Sequence, residues 1–148
     1  YNIKPLPNLE MKFVSANSLI NLENIDEARE LFANKDILEL IAELKGDSYR
    51  LFVLSNMSKE YIDFLRKMPV YQYFDGEVIS CEVGLNKPER EIYALLLDQF
   101  SLDPKQTMFI DDRKENVVAA AELGIVPFHF DRKNPEQSCN QIRELLKK

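Results

Sequence analysis

Thr107-Met108-Phe109-Ile110-Asp111-Asp112 is an apolar run that stops abruptly on two adjacent carboxylates. Thr107 to Ile110 read as a buried strand. The following stretch, about Lys114 to Leu123, carries Val117, Val118 and three consecutive alanines, and small side chains let a helix lie close on a sheet. Gly124 is placed to cap that helix. Ile125 to Phe130 read as the next strand, and a last helix runs through Leu145 and Leu146. A strand, a helix and a further strand at this spacing imply a right-handed crossover and parallel pairing. Parallel sheets of this kind bind ligands at the carboxyl ends of their strands. Asp111 and Asp112 stand at such an end.

The same alternation extends upstream. Asp36 is expected to cap a helix carrying Ile37, Leu38, Leu40, Ile41 and Leu44, with Gly46 ending it. Tyr49 to Leu54 is a strand candidate that runs into Ser55 and Asn56. Ser58 can cap the next helix, on which Ile62, Phe64 and Leu65 face inward. Glu77 to Ser80 is a short strand candidate. Pro88 suits the first turn of a helix bearing Ile92, Tyr93, Leu95, Leu96 and Phe100, because its missing N–H costs nothing there. The expectation is an α/β fold: a three-layer, doubly wound, mainly parallel sheet with strands near 49–54, 107–110 and 125–130 in one sheet.

Composition agrees. The chain has 148 residues, 45% apolar and 30% charged, which suits one globular domain, 1–148, with a core of its own. Acids outnumber bases 25 to 19, giving a formal charge of −6. That sign disfavours a nucleic acid partner. No apolar run reaches the ~18 residues of a membrane span. The two cysteines, Cys81 and Cys139, lack metal-ligand spacing and suit free thiols in a reducing, cytoplasmic compartment. The four glycines form neither GxGxxG nor GxxxxGK, so the usual nucleotide loops are absent. His129 is the one histidine and reads as a half-buried residue of an edge strand. Tyr71, Tyr73 and Phe74 read as core packing or a partner surface. Lys147 and Lys148 suit a helix C-terminus.

Three polar clusters therefore fall at strand ends or helix starts: Ser55 with Asn56, Lys87, and Asp111 with Asp112. A hydroxyl and an amide opening a helix offer donors to an anion. A lysine adds a point charge for the same oxygens. Paired carboxylates suit a hard cation such as Mg²⁺. Together they describe a Mg²⁺-assisted phosphoryl site. Each piece alone has a plainer reading: a capping turn, a solvated loop lysine, a capped acidic loop.

These residues resemble the haloacid dehalogenase-like (HAD) superfamily. Leu51-Phe-Val-Leu-Ser-Asn-Met-Ser58 is similar to its motif II, Asn86-Lys-Pro-Glu-Arg-Glu-Ile-Tyr93 to motif III, and Met108-Phe-Ile-Asp-Asp-Arg-Lys-Glu-Asn-Val-Val-Ala-Ala120 with Leu123-Gly-Ile125 to motif IV. The similarity runs from about Ile37 to Asp131. It implies a HAD-like, Rossmannoid fold and a Mg²⁺-dependent phosphatase acting on a small phosphorylated molecule. Ser55, Asn56 and Lys87 would hold phosphate, and Ser55 and Lys87 would serve catalysis. Asp112 would be the more direct ligand of Mg²⁺ and Asp111 its neighbour. Asn116 stands where many relatives carry a further acid.

The chain departs from the family at motif I, which ends in Asp-x-Asp and supplies the nucleophile and the proton-transfer acid. No Asp-x-Asp occurs anywhere in this sequence. The candidate strand is Met11 to Val14, which places Ser15 at the nucleophile and Asn17 at the acid/base, or Val14 at the nucleophile after a shift of one. Serine without an adjacent base is a weak nucleophile, and asparagine cannot relay a proton. About 14 residues separate Leu22 from Asp36, room for one short helix bearing Ile25, Ala28, Leu31 and Phe32, so a cap domain is absent or missing. Residues 36–148 then form the motif-bearing core, and 1–35 a degenerate motif I strand or cap remnant. The opening Tyr1 to Pro7 has no initiator methionine, which points to a fragment or a processed chain. The expected activity is hydrolysis that is absent or very slow in this chain; the alternative is a non-catalytic HAD-like module that binds phosphate or a protein. A phosphoacceptor receiver domain ranks third, since receivers place the acid pair before the hydroxyl and the lysine. Oligomeric state is not legible in the sequence.

Overall fold

The computed structural model describes residues 10–12 and 34–147. In chain order its elements are β1 (Glu10–Lys12), α1 (Lys35–Gly46), β2 (Phe52–Ser55), α2 (Lys59–Leu65), a 3-10 turn (Pro69–Tyr73), β3 (Gly76–Ile79), α3 (Ser80–Val83), α4 (Arg90–Gln99), a second 3-10 turn (Pro104–Gln106), β4 (Thr107–Asp111), α5 (Lys114–Glu122), β5 (Val126–His129) and α6 (Pro135–Leu146).

The strand pairs are parallel. β4 lies between β1 and β5, with Met11 opposite Met108 and Ile110 opposite Phe128. β2 pairs with β3, Ser55 opposite Ile79. The expectation of one continuous sheet is corrected: among the described residues, β1 lies against β2 but forms no ladder with it. Successive residues of a strand turn their backbone groups to alternate neighbours, so three residues paired along β4 leave little for a second ladder.

Side-chain alternation divides the core into two layers. Val53, Met108, Ile110 and Phe128 pack with Leu40, Ile41 and Leu44 of α1, Ile62 of α2 and Ile142 of α6. Phe52, Leu54 and Phe109 face the other way, onto Ile92, Tyr93 and Leu96 of α4 and Val117 and Ala120 of α5. Helices thus cover both faces, and every residue of β2 and β4 is buried. Parallel strands sealed on both sides read as unbroken apolar runs. β5 is an edge strand; Val126, Pro127 and His129 are exposed, and a proline without N–H is tolerated there. The aromatic cluster is core packing: Tyr71, Tyr73 and Phe74 lean on the first layer.

Several boundaries differ from expectation. Asn34, not Asp36, caps α1, its Oδ1 accepting from Ile37 N at 3.1 Å; Asp36 sits in the first turn. β2 starts at Phe52 because the Leu51 N–H goes to Asp75 Oδ2 at 2.8 Å instead of a ladder. β3 ends at Ile79, and Ser80 opens α3. Pro88 precedes α4, which begins at Arg90 after a closed turn in which Glu89 N donates to Asn86 O at 2.8 Å. His129 is exposed, not half-buried. Of the Met11–Val14 strand, Met11 and Lys12 are in β1. Val14, Ser15, Asn17 and the helix expected over Ile25 to Phe32 lie outside the described residues.

Candidate active site

β2 delivers Ser55 as its last residue, fully buried. The chain then leaves the sheet through a loop that three side chains fix. Ser58 caps α2, accepting from Tyr61 N at 3.3 Å. Ser80 Oγ accepts from Met57 N at 2.9 Å. The Asn56 carboxamide engages Lys87 twice: its Nδ2 donates to Lys87 O at 3.0 Å and its Oδ1 accepts from Lys87 N at 2.8 Å. The Asn56 side chain, expected on phosphate, thus gives one N–H and one lone pair to the lysine's backbone.

Lys87 Nζ donates to Asp111 Oδ2 at 3.0 Å, with side-chain exposures of 1% and 0%. Burial pushes the ammonium below the ordinary lysine range, and the Asp111 charge opposes that push. The Phe109 ring closes the lysine in, its centroid 5.6 Å from Nζ. Both Asp111 oxygens are hydrogen-bonded: Oδ2 also accepts from Asn116 Nδ2 at 3.1 Å, and Oδ1 from Arg113 N at 2.8 Å. Tyr93 braces this arrangement from α4, its hydroxyl donating to Asn116 O at 2.9 Å.

Asp112 differs from its neighbour. Its Oδ1 is buried and no hydrogen bond reaches it; its Oδ2 lies 3.5 Å from Arg132. Its backbone carbonyl accepts from His129 Nε2 at 2.8 Å. Burial, reinforced by the Asp111 charge, pushes the carboxyl up to about 6. Among the described residues, Ser55 Oγ is the other buried side-chain oxygen without a partner. Buried polar atoms are rarely left unpaired, so a phosphoryl oxygen at Ser55 and a cation at Asp112 would each satisfy an orphan.

A hard cation fits this donor set, since Mg²⁺ keeps several waters and takes one or two carboxylates. Asp112 has the free oxygen for it; Asp111, expected beside it, also bonds Lys87 through Oδ2. Among the described residues no group of three His, Cys, Asp or Glu side chains is gathered around a metal position.

The structure therefore gathers Ser55, Asn56, Lys87, Asp111 and Asp112 at the carboxyl ends of β2 and β4, and adds three residues the sequence reading did not assign to a site. Arg132 follows β5, so the rule that found Ser55 and Asp111 also reaches it. Ser80 and Tyr93 act on backbone atoms far along the chain, and no local pattern marks them. A wide groove of about 940 Å³ runs along α6 past Asp36, Lys133 and Gln141 and touches none of these groups.

The sequence model of haloacid dehalogenase-like hydrolases matches residues 6–124. The chain belongs to that family. Among its relatives, the sesquiterpene phosphatase astK of Aspergillus oryzae is 32% identical over 72% of this chain, and the phosphorylated carbohydrates phosphatase of Thermotoga maritima is 29% identical over 84%. The chain spans about half of each, 54% and 52%. Among solved structures, a HAD family enzyme of Bacteroides thetaiotaomicron in complex with magnesium and inorganic phosphate is 30% identical, with a TM-score of 0.61 over 73% of this chain and 60% of that one. A predicted HAD-like hydrolase of Porphyromonas gingivalis is 28% identical, with a TM-score of 0.68 over 84% of this chain and 66% of that one. Among the described residues no helix is long and apolar enough to cross a membrane.

Proposed function

We propose that the carboxyl-end cleft is a phosphate-monoester site of the phosphatase kind, taking a small phosphorylated molecule together with Mg²⁺. The observation that carries this reading is the enclosed Lys87–Asp111 pair standing with two buried, unpartnered oxygens, Ser55 Oγ and Asp112 Oδ1. The phosphatase relatives and the HAD enzyme with magnesium and phosphate support it. The free thiols Cys81 and Cys139 support a cytoplasmic setting.

Ser55 donates its hydroxyl proton to one phosphoryl oxygen. The Lys87 ammonium has three N–H donors; one is held by Asp111, which aims the others at the phosphoryl group. Asp112, and after it Asp111, would hold Mg²⁺, with Oδ1 of Asp112 as the free donor. The cation supplies neutralisation of phosphoryl charge. The phosphorus also needs a nucleophile, and neither Ser15 nor Val14 is a carboxylate. With Asn17 unable to relay a proton, only binding and electrostatics remain, and turnover is very slow. The missing Asp-x-Asp also favours a second reading, a non-catalytic module binding the same phosphorylated ligand or a protein.

Turnover of an aryl phosphate with and without Mg²⁺, by this chain and by the double variant Ser15→Asp with Asn17→Asp, tests the proposal. Near-zero turnover by the native chain and a gain in the variant support it. Fast native turnover that Asp112→Ala abolishes would show that a different nucleophile operates. A longer form of the protein that is active where this chain is not would place the nucleophile outside these residues.

A further inference from the structure

We infer that Asn56 is a positioning residue that sets Lys87 in the site, not a phosphate ligand; this rests on the phosphate-site reading above. Lys87 lies between α3 and α4, where no strand ladder is available to its backbone, yet the residue is only 5% exposed. An unpaired buried N–H or C=O costs about 1–3 kcal/mol. The turn that holds Lys87 closes on itself: Glu89 N donates to Asn86 O, and Asn86 N donates to Glu89 Oε1 at 2.6 Å. Neither bond serves Lys87. Among the described residues Asn56 alone supplies both, at 2.8 Å and 3.0 Å, acting as the peptide group of a neighbouring strand would.

Only a carboxamide can do this. The Lys87 N–H needs an acceptor and its carbonyl a donor, and one amide plane offers both side by side. Aspartate would keep the acceptor and set an anion against the Lys87 carbonyl. Serine is too short to span both. The clamp also matters for distance. Lysine has a long, rotamer-rich stem, so Nζ is placed only if the backbone is. Asn56 follows Ser55 directly, and its clamp, which spans 31 positions of sequence to Lys87, therefore ties the Ser55 hydroxyl to the Lys87 ammonium.

The test uses the full chain, with Asn56→Ser, Asn56→Asp, Lys87→Met, and each Asn56 variant combined with Lys87→Met. The first readout is reductive methylation of each lysine, followed by mass spectrometry, without ligand. Lys87 should be protected in the native protein and lose roughly tenfold of that protection in Asn56→Ser. Lys45, bonded to Asp75 at 2.8 Å elsewhere, should not change. The second readout is the affinity for inorganic phosphate: Asn56→Ser should lose about tenfold against native Lys87 and nothing against Lys87→Met. Unchanged Lys87 protection would overturn the inference, and so would an equal phosphate loss in both backgrounds, which would make Asn56 a direct ligand. If Asn56→Ser does not fold, Asn56→Asp carries the same two readouts with an intermediate exposure of Lys87. Should the native chain bind no phosphate, the methylation arm still decides the clamp, and the phosphate-site reading falls separately.

Discussion

Lys87 Nζ stands 3.0 Å from Asp111 Oδ2, with both side chains sealed from water. Removing one member of such a pair strands the other charge in the interior. Lys87→Met should therefore destabilise the fold by about 3–5 kcal/mol at neutral pH, read from urea denaturation. Adding Asp111→Asn should recover much of that loss, because the asparagine carries no charge to strand. Additive losses in the double variant would show that the two residues are not energetically coupled.

Asp112 is predicted to make stability depend on pH in an uncommon direction for a carboxylate. Its carboxyl is pushed up to about 6 from an ordinary 3.8, chiefly by burial. The folded state thus binds this proton more tightly than the unfolded chain does, and the group's contribution to stability falls as pH rises from about 4 through about 6. Above that, the charged form is a liability that Arg132 relieves only in part. In EDTA, Asp112→Asn should raise the Tm at pH about 7, and the gain should shrink as pH approaches about 4. A Tm lowered equally at both ends would mean that Arg132 already compensates the charge.

What was legible in the sequence were groups at the junction of an apolar run and a polar one. Ser55 and Asp111 each end a buried strand, Asp112 follows at once, and parallel topology brings such ends together. The helices α1, α5 and α6 were legible from their spacing. Residues whose work is done on distant backbone were not. Asn56 reads as a donor for an anion because nothing nearby shows that its partner lies 31 positions away. Asp75 likewise decides where β2 begins by taking the Leu51 N–H. Asn34 displaced Asp36 as the cap of α1 because both types cap well and only geometry chooses between them.

The two thiols should differ in reactivity. Burial pushes Cys139 up to about 11, whereas Cys81 is exposed. The thiolate is the reactive form. A thiol reagent at pH about 8 should label Cys81 alone in the native protein and both cysteines in denaturant, as mass spectrometry would show. Rapid native labelling of Cys139 would contradict the packing of α6 against the sheet.

Gly76 opens β3 against two aromatic rings. A Cβ there would fall 2.5 Å from ring carbons of Phe100 and 3.1 Å from Phe52. The two rings already meet, tilted, at 4.5 Å between centroids, so Phe100 has little room to turn. Gly76→Ala should cost about 1–3 kcal/mol by urea denaturation, and Gly46→Ala, with open space around it, far less. Equal costs would mean that the Phe52–Phe100 contact yields freely.

The phosphate site is tested most directly by calorimetric titration of the native chain with inorganic phosphate in Mg²⁺, beside Lys87→Met, Ser55→Ala and the remote variant Asn140→Ala. Saturable binding should weaken by about tenfold or more in the first two variants, since each loses a hydrogen bond to an anion. It should be unchanged in Asn140→Ala. No saturable binding by the native chain, or undiminished binding by Lys87→Met, would contradict the assignment.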